Sequence, residues 1–208
     1  MTIFHLTSPM NDSDVESLRV GDIVYISGGA FTCRSRLHRY IFDEDRILPF
    51  STIEKNMLIH AGPIVIKDNN QWKLISFMPT SSLRFEKWGA RSVDEWGLKM
   101  ICGKTTMGED TMKMMREKKC VHVAPSSVSP NLWFDSIQIE DVFLFDELGS
   151  IEAAWILRLK DLGPFIVDID CEGNNLYKKV NQSVDENLVE VYKQLNIPTD
   201  FEYTKLYQ

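Results

Sequence analysis

The stretch Gly21–Phe42, GDIVYISGGAFTCRSRLHRYIF, places a strand directly ahead of a helix, and that order argues for a domain of interleaved strands and helices. Gly21–Ser27 reads as a strand ended by Gly28-Gly29, and Thr32 then caps a helix through Cys33–Phe42. On the amino-terminal side, Ser13-Asp14-Val15-Glu16 is a capping-box pattern that opens a short helix. On the other side, Met57–Ile66 and Trp72–Phe77 flank Asp68-Asn69-Asn70 as the arms of a hairpin. Helices are expected after Pro79 and near Glu109, with a short strand Leu98–Cys102 between them. Strands follow at Cys120–Val123, Val142–Phe145, Trp155–Leu159 and Phe165–Ile169. A last helix at about 183–195 aligns Val184, Leu188, Val191 and Leu195 as a buried stripe, with Pro198 beyond it. The pattern predicts a single α/β or α+β domain over residues 1–208, without repeats or long linkers.

Composition narrows the function classes. Hydrophobic residues at 44% and charged residues at 25% suit a folded globular chain. A formal charge of −7 argues against nucleic acid or an anionic membrane as partner, since both need a basic footprint. It leaves room for a small anionic ligand, which responds to a few local cations. Apolar runs are too short to span a bilayer, and Met1–Met10 lacks the basic start and apolar core of a signal peptide, so a cytoplasmic location is expected. The four cysteines (Cys33, Cys102, Cys120 and Cys171) are scattered without a Cys-x-x-Cys pair, the pattern of buried free thiols rather than of a metal site within this chain.

Three segments could carry chemistry. In Thr32–Arg39, Arg34 and His38 stand four residues apart, which on a helix puts a carboxylate-gripping guanidinium and a titratable imidazole on one face. The plain alternative is a solvated basic face. In Met78–Arg84, hydroxyl residues follow Pro79, and Arg84 lies one turn beyond Thr80, an arrangement suited to an oxyanion as well as to simple capping. Gly103-Lys104-Thr105-Thr106 has the end of a phosphate-binding loop, but Leu98 stands where that motif needs glycine, so nucleotide binding is rejected.

In order and spacing, these segments resemble the family formed by the β subunit of L(+)-tartrate dehydratase and the C-terminal domain of class I fumarases. The resemblance runs over about residues 16–178: Leu18–Tyr25, Thr32-Cys33-Arg34 with His38, His60-Ala61-Gly62-Pro63, Pro79-Thr80 with Arg84, Gly103-Lys104, Met107-Gly108, Gly163-Pro164, then Asp170 and Gly173–Leu176. It implies an α/β fold, a swivelling β/β/α domain with a mixed sheet and hairpins. It implies a hydro-lyase acting on a small dicarboxylate of the fumarate/malate or tartrate type, with a cytoplasmic partner, the α subunit, in a heterotetramer of two α and two β chains. The partner would carry a 4Fe-4S cluster whose open iron acts as a Lewis acid, and no ligand to it is expected from this chain. Carried over by motif, Arg34, Arg84 and Lys104 would bind the carboxylates, Thr80 would exchange the proton on carbon, and His38 would be an acid/base or orienting residue. Met78, Ser81, Ser35 and Thr105 depart from the family pattern, and Pro125–Val128 replaces a Gly-Gly-Cys-Ala loop. Those departures are what a catalytically degenerate dicarboxylate-binding or interaction module of the same fold would show.

Overall fold

A computed structural model describes residues 1–125, 129–198 and 200–201; the Ser126–Val128 part of the substituted loop lies outside them. Two units are resolved, Met1–Asn175 and the segment from Leu176 onward.

In the first unit the chain runs β1 (Ile3–Ser8), α1 (Asp12–Glu16), β2 (Ile23–Thr32), α2 (Ser35–His38), β3 (Met57–Ile59), β4 (Ile64–Asp68) and β5 (Gln71–Ser76). It continues through α3 (Glu86–Glu95), β6 (Met100–Cys102), α4 (Glu109–Lys118), β7 (Val121–Pro125), β8 (Ile137–Phe143), α5 (Phe145–Leu148) and β9 (Ala154–Ile169). Seven strands form one mixed sheet in the order β1-β2-β3-β6-β7-β9-β8, and a further pairing of β2 with β9 closes β2-β3-β6-β7-β9 into a ring. Strands β1, β2, β3, β6 and β7 pair in parallel, while β9 runs antiparallel to β7, β2 and β8. The α/β class with a mixed sheet is confirmed. The hairpin is present with a different first arm: the expected run Met57–Ile66 divides into β3, in the main sheet, and β4, and β4 pairs with β5 around Asn69 and Asn70, both at positive φ, as a two-residue turn requires.

Side chains alternate across the pleat and so fill two cores. Met57 and Ile59, Met100 and Cys102, and Val121 and Val123 join β9 residues in one cluster that draws on every strand of the ring. Leu58 and Ile101 point the other way and pack with Trp88, Val93 and Trp96 of the α3 region and with Met112 and Met115 of α4.

Several local expectations are corrected. Gly28-Gly29 does not end the first strand; β2 continues to Thr32. The glycines allow close approach where the ring closes: a Cβ on Gly28, at φ +97, would stand 2.0 Å from the Ser8 carbonyl oxygen. Thr32 is not a helix cap. Its hydroxyl receives the Trp155 N–H (3.1 Å) and donates to the Ala153 carbonyl (3.4 Å), tying β2 to β9. The helix after it begins at Ser35 and passes into a π-helical turn over Arg39–Asp43. The first helix is capped by Asn11, whose side chain and that of Asp14 form the capping box. Trp155–Leu159 and Phe165–Ile169 belong to the single long strand β9, which passes through Gly163-Pro164.

The second unit is α6 (Leu176–Gln194), which starts earlier than its apolar spacing suggested. It buries none of its residues, and Val184, Leu188, Val191 and Leu195, expected to be buried, are exposed. No helix among the described residues is long and apolar enough to cross a membrane.

Candidate functional site

The carboxyl ends of the parallel strands build the site, where open α/β sheets commonly assemble ligand pockets. Backbone bonding carries the ladder past the strand ends: Cys33 N–H to Ile59 O (3.2 Å), His60 N–H to Cys102 O (2.8 Å) and Gly103 N–H to Val123 O (3.1 Å). Arg34, Ala61 and Lys104 are therefore the next residues on three neighbouring strands. The segment after Pro79 threads between two of them. Thr80 N–H donates to His60 O (2.6 Å), Lys104 N–H to Thr80 O (2.8 Å) and Ser82 N–H to Lys104 O (2.8 Å). Both Thr80 links use backbone atoms, which leaves its hydroxyl outside them.

Arg34 is held rather than loose. Its Nε donates to Glu152 Oε1 (3.1 Å), and the other oxygen of Glu152 receives the Arg36 N–H (2.8 Å). Its stem passes Gly62, where a Cβ would come within 3.0 Å of Arg34 Cδ and 2.3 Å of the Ile151 carbonyl oxygen. Glycine at 62 is needed for that approach. Bonding through Nε leaves the two terminal nitrogens of the fork for a ligand carboxylate. The neighbouring Arg36 differs: its terminal nitrogens are spent on the carbonyls of Leu148 (2.6 Å) and Glu147 (3.2 Å).

The Lys104 ammonium reaches the Met78 thioether at 3.8 Å and pairs with no carboxylate among the described residues. A thioether is a weak acceptor, so the ammonium keeps most of its capacity for an anion. Arg84 is exposed in the 3-10 turn Ser82–Phe85 on the Thr80 segment. Thr80, Lys104 and Arg34 thus share one end of the ring, with Arg84 two residues beyond Ser82. The departures from the family pattern also meet here. Met78 touches Lys104, and Ser81 Oγ lies 2.9 Å from Thr105 Oγ1. Thr105 adopts φ +65, a conformation that favours glycine and costs a β-branched residue on the order of 1–3 kcal/mol.

His38 is not where a shared helical face with Arg34 would put it. Arg34 is the extended residue preceding α2, and His38 turns inward and is fully buried. The imidazole stacks on Trp88 (5.4 Å, 5° between planes), Trp96 and Phe85, and its Nδ1–H donates to the Arg34 carbonyl (3.1 Å). Its Nε2 is buried without a hydrogen-bond partner. Burial pushes the His38 pKa down to about 3, so the ring is neutral at physiological pH.

A second constellation lies beneath Thr80, and of its members only His60 stands in a motif singled out from sequence. Ser82 Oγ lies 2.9 Å from His60 Nδ1 and 2.8 Å from His122 Nε2, and His122 Nδ1 lies 2.6 Å from Asp168 Oδ1. None of the four is more than 1% exposed. Burial raises the Asp168 carboxyl above its usual range, while His122 works in the other direction. Burial likewise drives His60 well down. Separations of 22, 40 and 46 residues hid the group from any local pattern.

Phosphate binding at Gly103–Thr106 is excluded on geometry as well as on sequence. The start of α4 is occupied by Glu86, which receives the Gly108 N–H (2.6 Å), the Thr111 N–H (3.1 Å) and the Thr111 hydroxyl (2.8 Å). The cysteines are all free and buried, and burial raises each thiol, Cys171 to about 11. Among the described residues no group of three or more His, Cys, Asp or Glu side chains is placed to hold a metal ion.

Fold and site together define a class: a partly closed α/β domain that gathers hydroxyls and cationic side chains at the carboxyl ends of its parallel strands. Residues 2–180 match the family model described as the fumarase C-terminus, and the chain belongs to that family. It is 36% identical over 172 residues to the L(+)-tartrate dehydratase subunit beta of Escherichia coli strain K12, covering 82% of this chain and 85% of that one. A protein of Methanocaldococcus jannaschii named "Putative L(+)-tartrate dehydratase subunit beta" is 33% identical over 186 residues, 88% of this chain and 95% of its own. A protein of Geobacillus stearothermophilus named "Putative fumarate hydratase class I" is 30% identical over 188 residues, 89% of this chain but 36% of its own.

Proposed function

We propose that this chain is the β subunit of an iron–sulfur hydro-lyase that adds or removes water on a small dicarboxylate, at a site completed by a cluster-bearing α subunit in the cytoplasm. The observation that carries this reading is the convergence of Arg34, Thr80 and Lys104 on one end of the ring through consecutive backbone links. The domain matches a family whose members named above carry the names of a dehydratase subunit and of a "Putative fumarate hydratase class I".

Removing a proton beside a carboxylate builds negative charge on that carboxylate. Arg34 and Lys104, fixed before the substrate arrives, stabilise this charge better than water does, because they need not reorganise. Thr80 exchanges the proton on carbon. A threonine hydroxyl is a poor base, so a neighbour supplied by the partner chain activates it. Of the two roles open to His38, the geometry favours orientation: a neutral ring sealed among aromatics fixes the Arg34 carbonyl and cannot reach a ligand. Arg84, exposed on the same segment, is assigned to the second carboxylate.

The test is assembly with the α subunit under anaerobic conditions, followed by a screen of fumarate, malate, tartrate and methyl-substituted relatives. Turnover of at least one, lost on exposure to air and absent from this chain alone, is expected. A complex with an intact cluster that turns over none of them would refute the reading. It would leave the binding-module alternative, which the Met78–Lys104 contact and the strained Thr105 favour.

A further inference from the structure

The buried group Asp168–His122–Ser82–His60 has the hydrogen-bond order of a serine nucleophile with its base and orienting carboxylate. It cannot act as one. Ser82 is fully buried, and its hydroxyl faces a second imidazole where a nucleophile would face substrate. Four buried polar side chains in one chain are costly to keep unless each is bonded and the arrangement serves a purpose. Alternation along β7 turns His122 away from Val121 and Val123 and toward the helical layer, so the chain lies between sheet and helices.

Its position shows the purpose. Ser82 follows Thr80 by two residues, and its N–H bonds the Lys104 carbonyl (2.8 Å). The His60 carbonyl accepts the Thr80 N–H (2.6 Å). The side chains of the same two residues are joined to each other at Ser82 Oγ, and through His122 to Asp168 on β9. Gly103 is shaped around this junction, since a Cβ there would stand 1.9 Å from Ser82 Oγ. Of the backbone bonds that locate Thr80 and Lys104, one runs to His60 and one to Ser82, and the third joins Thr80 and Lys104 to each other.

We propose that Ser82, His60, His122 and Asp168 are positioning residues that set where the Thr80 hydroxyl and the Lys104 ammonium stand relative to the substrate. The inference rests on the proposed hydro-lyase reading for its catalytic consequence, but not for its structural one. Displacing a reacting group by about 1 Å costs on the order of 100-fold in rate, whereas Arg34, held by Glu152 and not by this chain, still binds its carboxylate. Cutting the chain should therefore lower kcat and spare KM.

Two measurements test it. In the full chain, Ser82→Ala and His122→Gln should speed amide hydrogen exchange at Thr80 and Lys104 by about 10-fold or more, relative to amides in α4, with the melting transition still cooperative. In the assembled complex the same variants should lose about 10- to 100-fold in kcat with KM within about three-fold. Asp168→Asn, which keeps an acceptor for His122, should retain most of the wild-type kcat. Unchanged exchange at Thr80 and Lys104 overturns the proposal, as does wild-type kcat in a folded Ser82→Ala complex. So does loss of the fold in both Ser82→Ala and His122→Gln, since the chain would then be general structural support. A wild-type complex without activity bears on the hydro-lyase reading alone, and the exchange measurement still decides positioning.

Discussion

The two ends of the ring treat charge in opposite ways. At the amino ends of the parallel strands, Asp22 and Asp170 spend their oxygens on the backbone. Asp22 receives the N–H groups of Thr2 (2.7 Å) and Arg19 (3.0 Å). Asp170 receives those of Val20 (3.3 Å), Glu172 (3.0 Å) and Asn174 (3.0 Å). At the carboxyl ends, among the described residues, Lys104 meets a thioether and no carboxylate, and Arg34 is gripped through Nε with its fork unspent. Charge consumed by the chain's own backbone holds turns together; charge held in place but not consumed is available to a ligand. On the proposed reading, the same fold separates stability from function by end.

The largest effect expected from breaking this division falls at the carboxyl end. Thr80→Val and Lys104→Ala should each lower kcat/KM of the assembled complex by about 1000-fold. Their urea midpoints should stay near that of the wild type, because neither side chain contributes to the core. A large shift in midpoint with modest loss of activity would mean these groups are structural.

Asp170→Ala should do the reverse. It leaves three part-buried N–H groups without this acceptor, at about 1–2 kcal/mol of stability, which equilibrium denaturation would read. Turnover per folded molecule should be unchanged.

A smaller effect distinguishes the buried histidines from the site. Folding holds His38 near pKa 3, against about 6.5 in the unfolded chain, so stability is full above about pH 6.5 and is lost as the pH falls toward 3. Between pH 6.5 and 5 the loss should be about 2 kcal/mol from this group. His38→Phe should remove that part of the pH dependence, measured as the difference between variant and wild-type urea midpoints across the range. An unchanged slope would place the imidazole in contact with water.

Much of the carboxyl end was legible because its residues follow recognisable local breaks: Cys33-Arg34 after a strand, Pro79-Thr80 after a hairpin, Gly103-Lys104 after a short strand. What was misread depends on ring closure. Gly28-Gly29 looks like a terminator, but it lies inside β2, where it pairs with Leu159 and Arg158 of β9 and leaves no room for a side chain against Ser8 and Lys55. Gly163-Pro164 splits the pattern of β9 into two strands, although the chain runs through it unbroken. The Arg34/His38 spacing suggested one helical face, but the helix starts only at Ser35, so the two side chains diverge. The chain from Asp168 to His60 lay beyond reading, since each member sits in an ordinary strand or turn and only the packing of helices on the sheet joins them.

Arg34 and Arg36, two residues apart, sharpen the comparison most, because one guanidinium is unspent at its tips and the other is consumed by carbonyls. The decisive measurement is kcat/KM of the assembled complex carrying Arg34→Ala beside one carrying Arg36→Ala. A loss of about 100-fold or more for the first, with less than about three-fold per folded complex for the second, is the expected result. Equal losses, or a greater loss for Arg36→Ala, would contradict it.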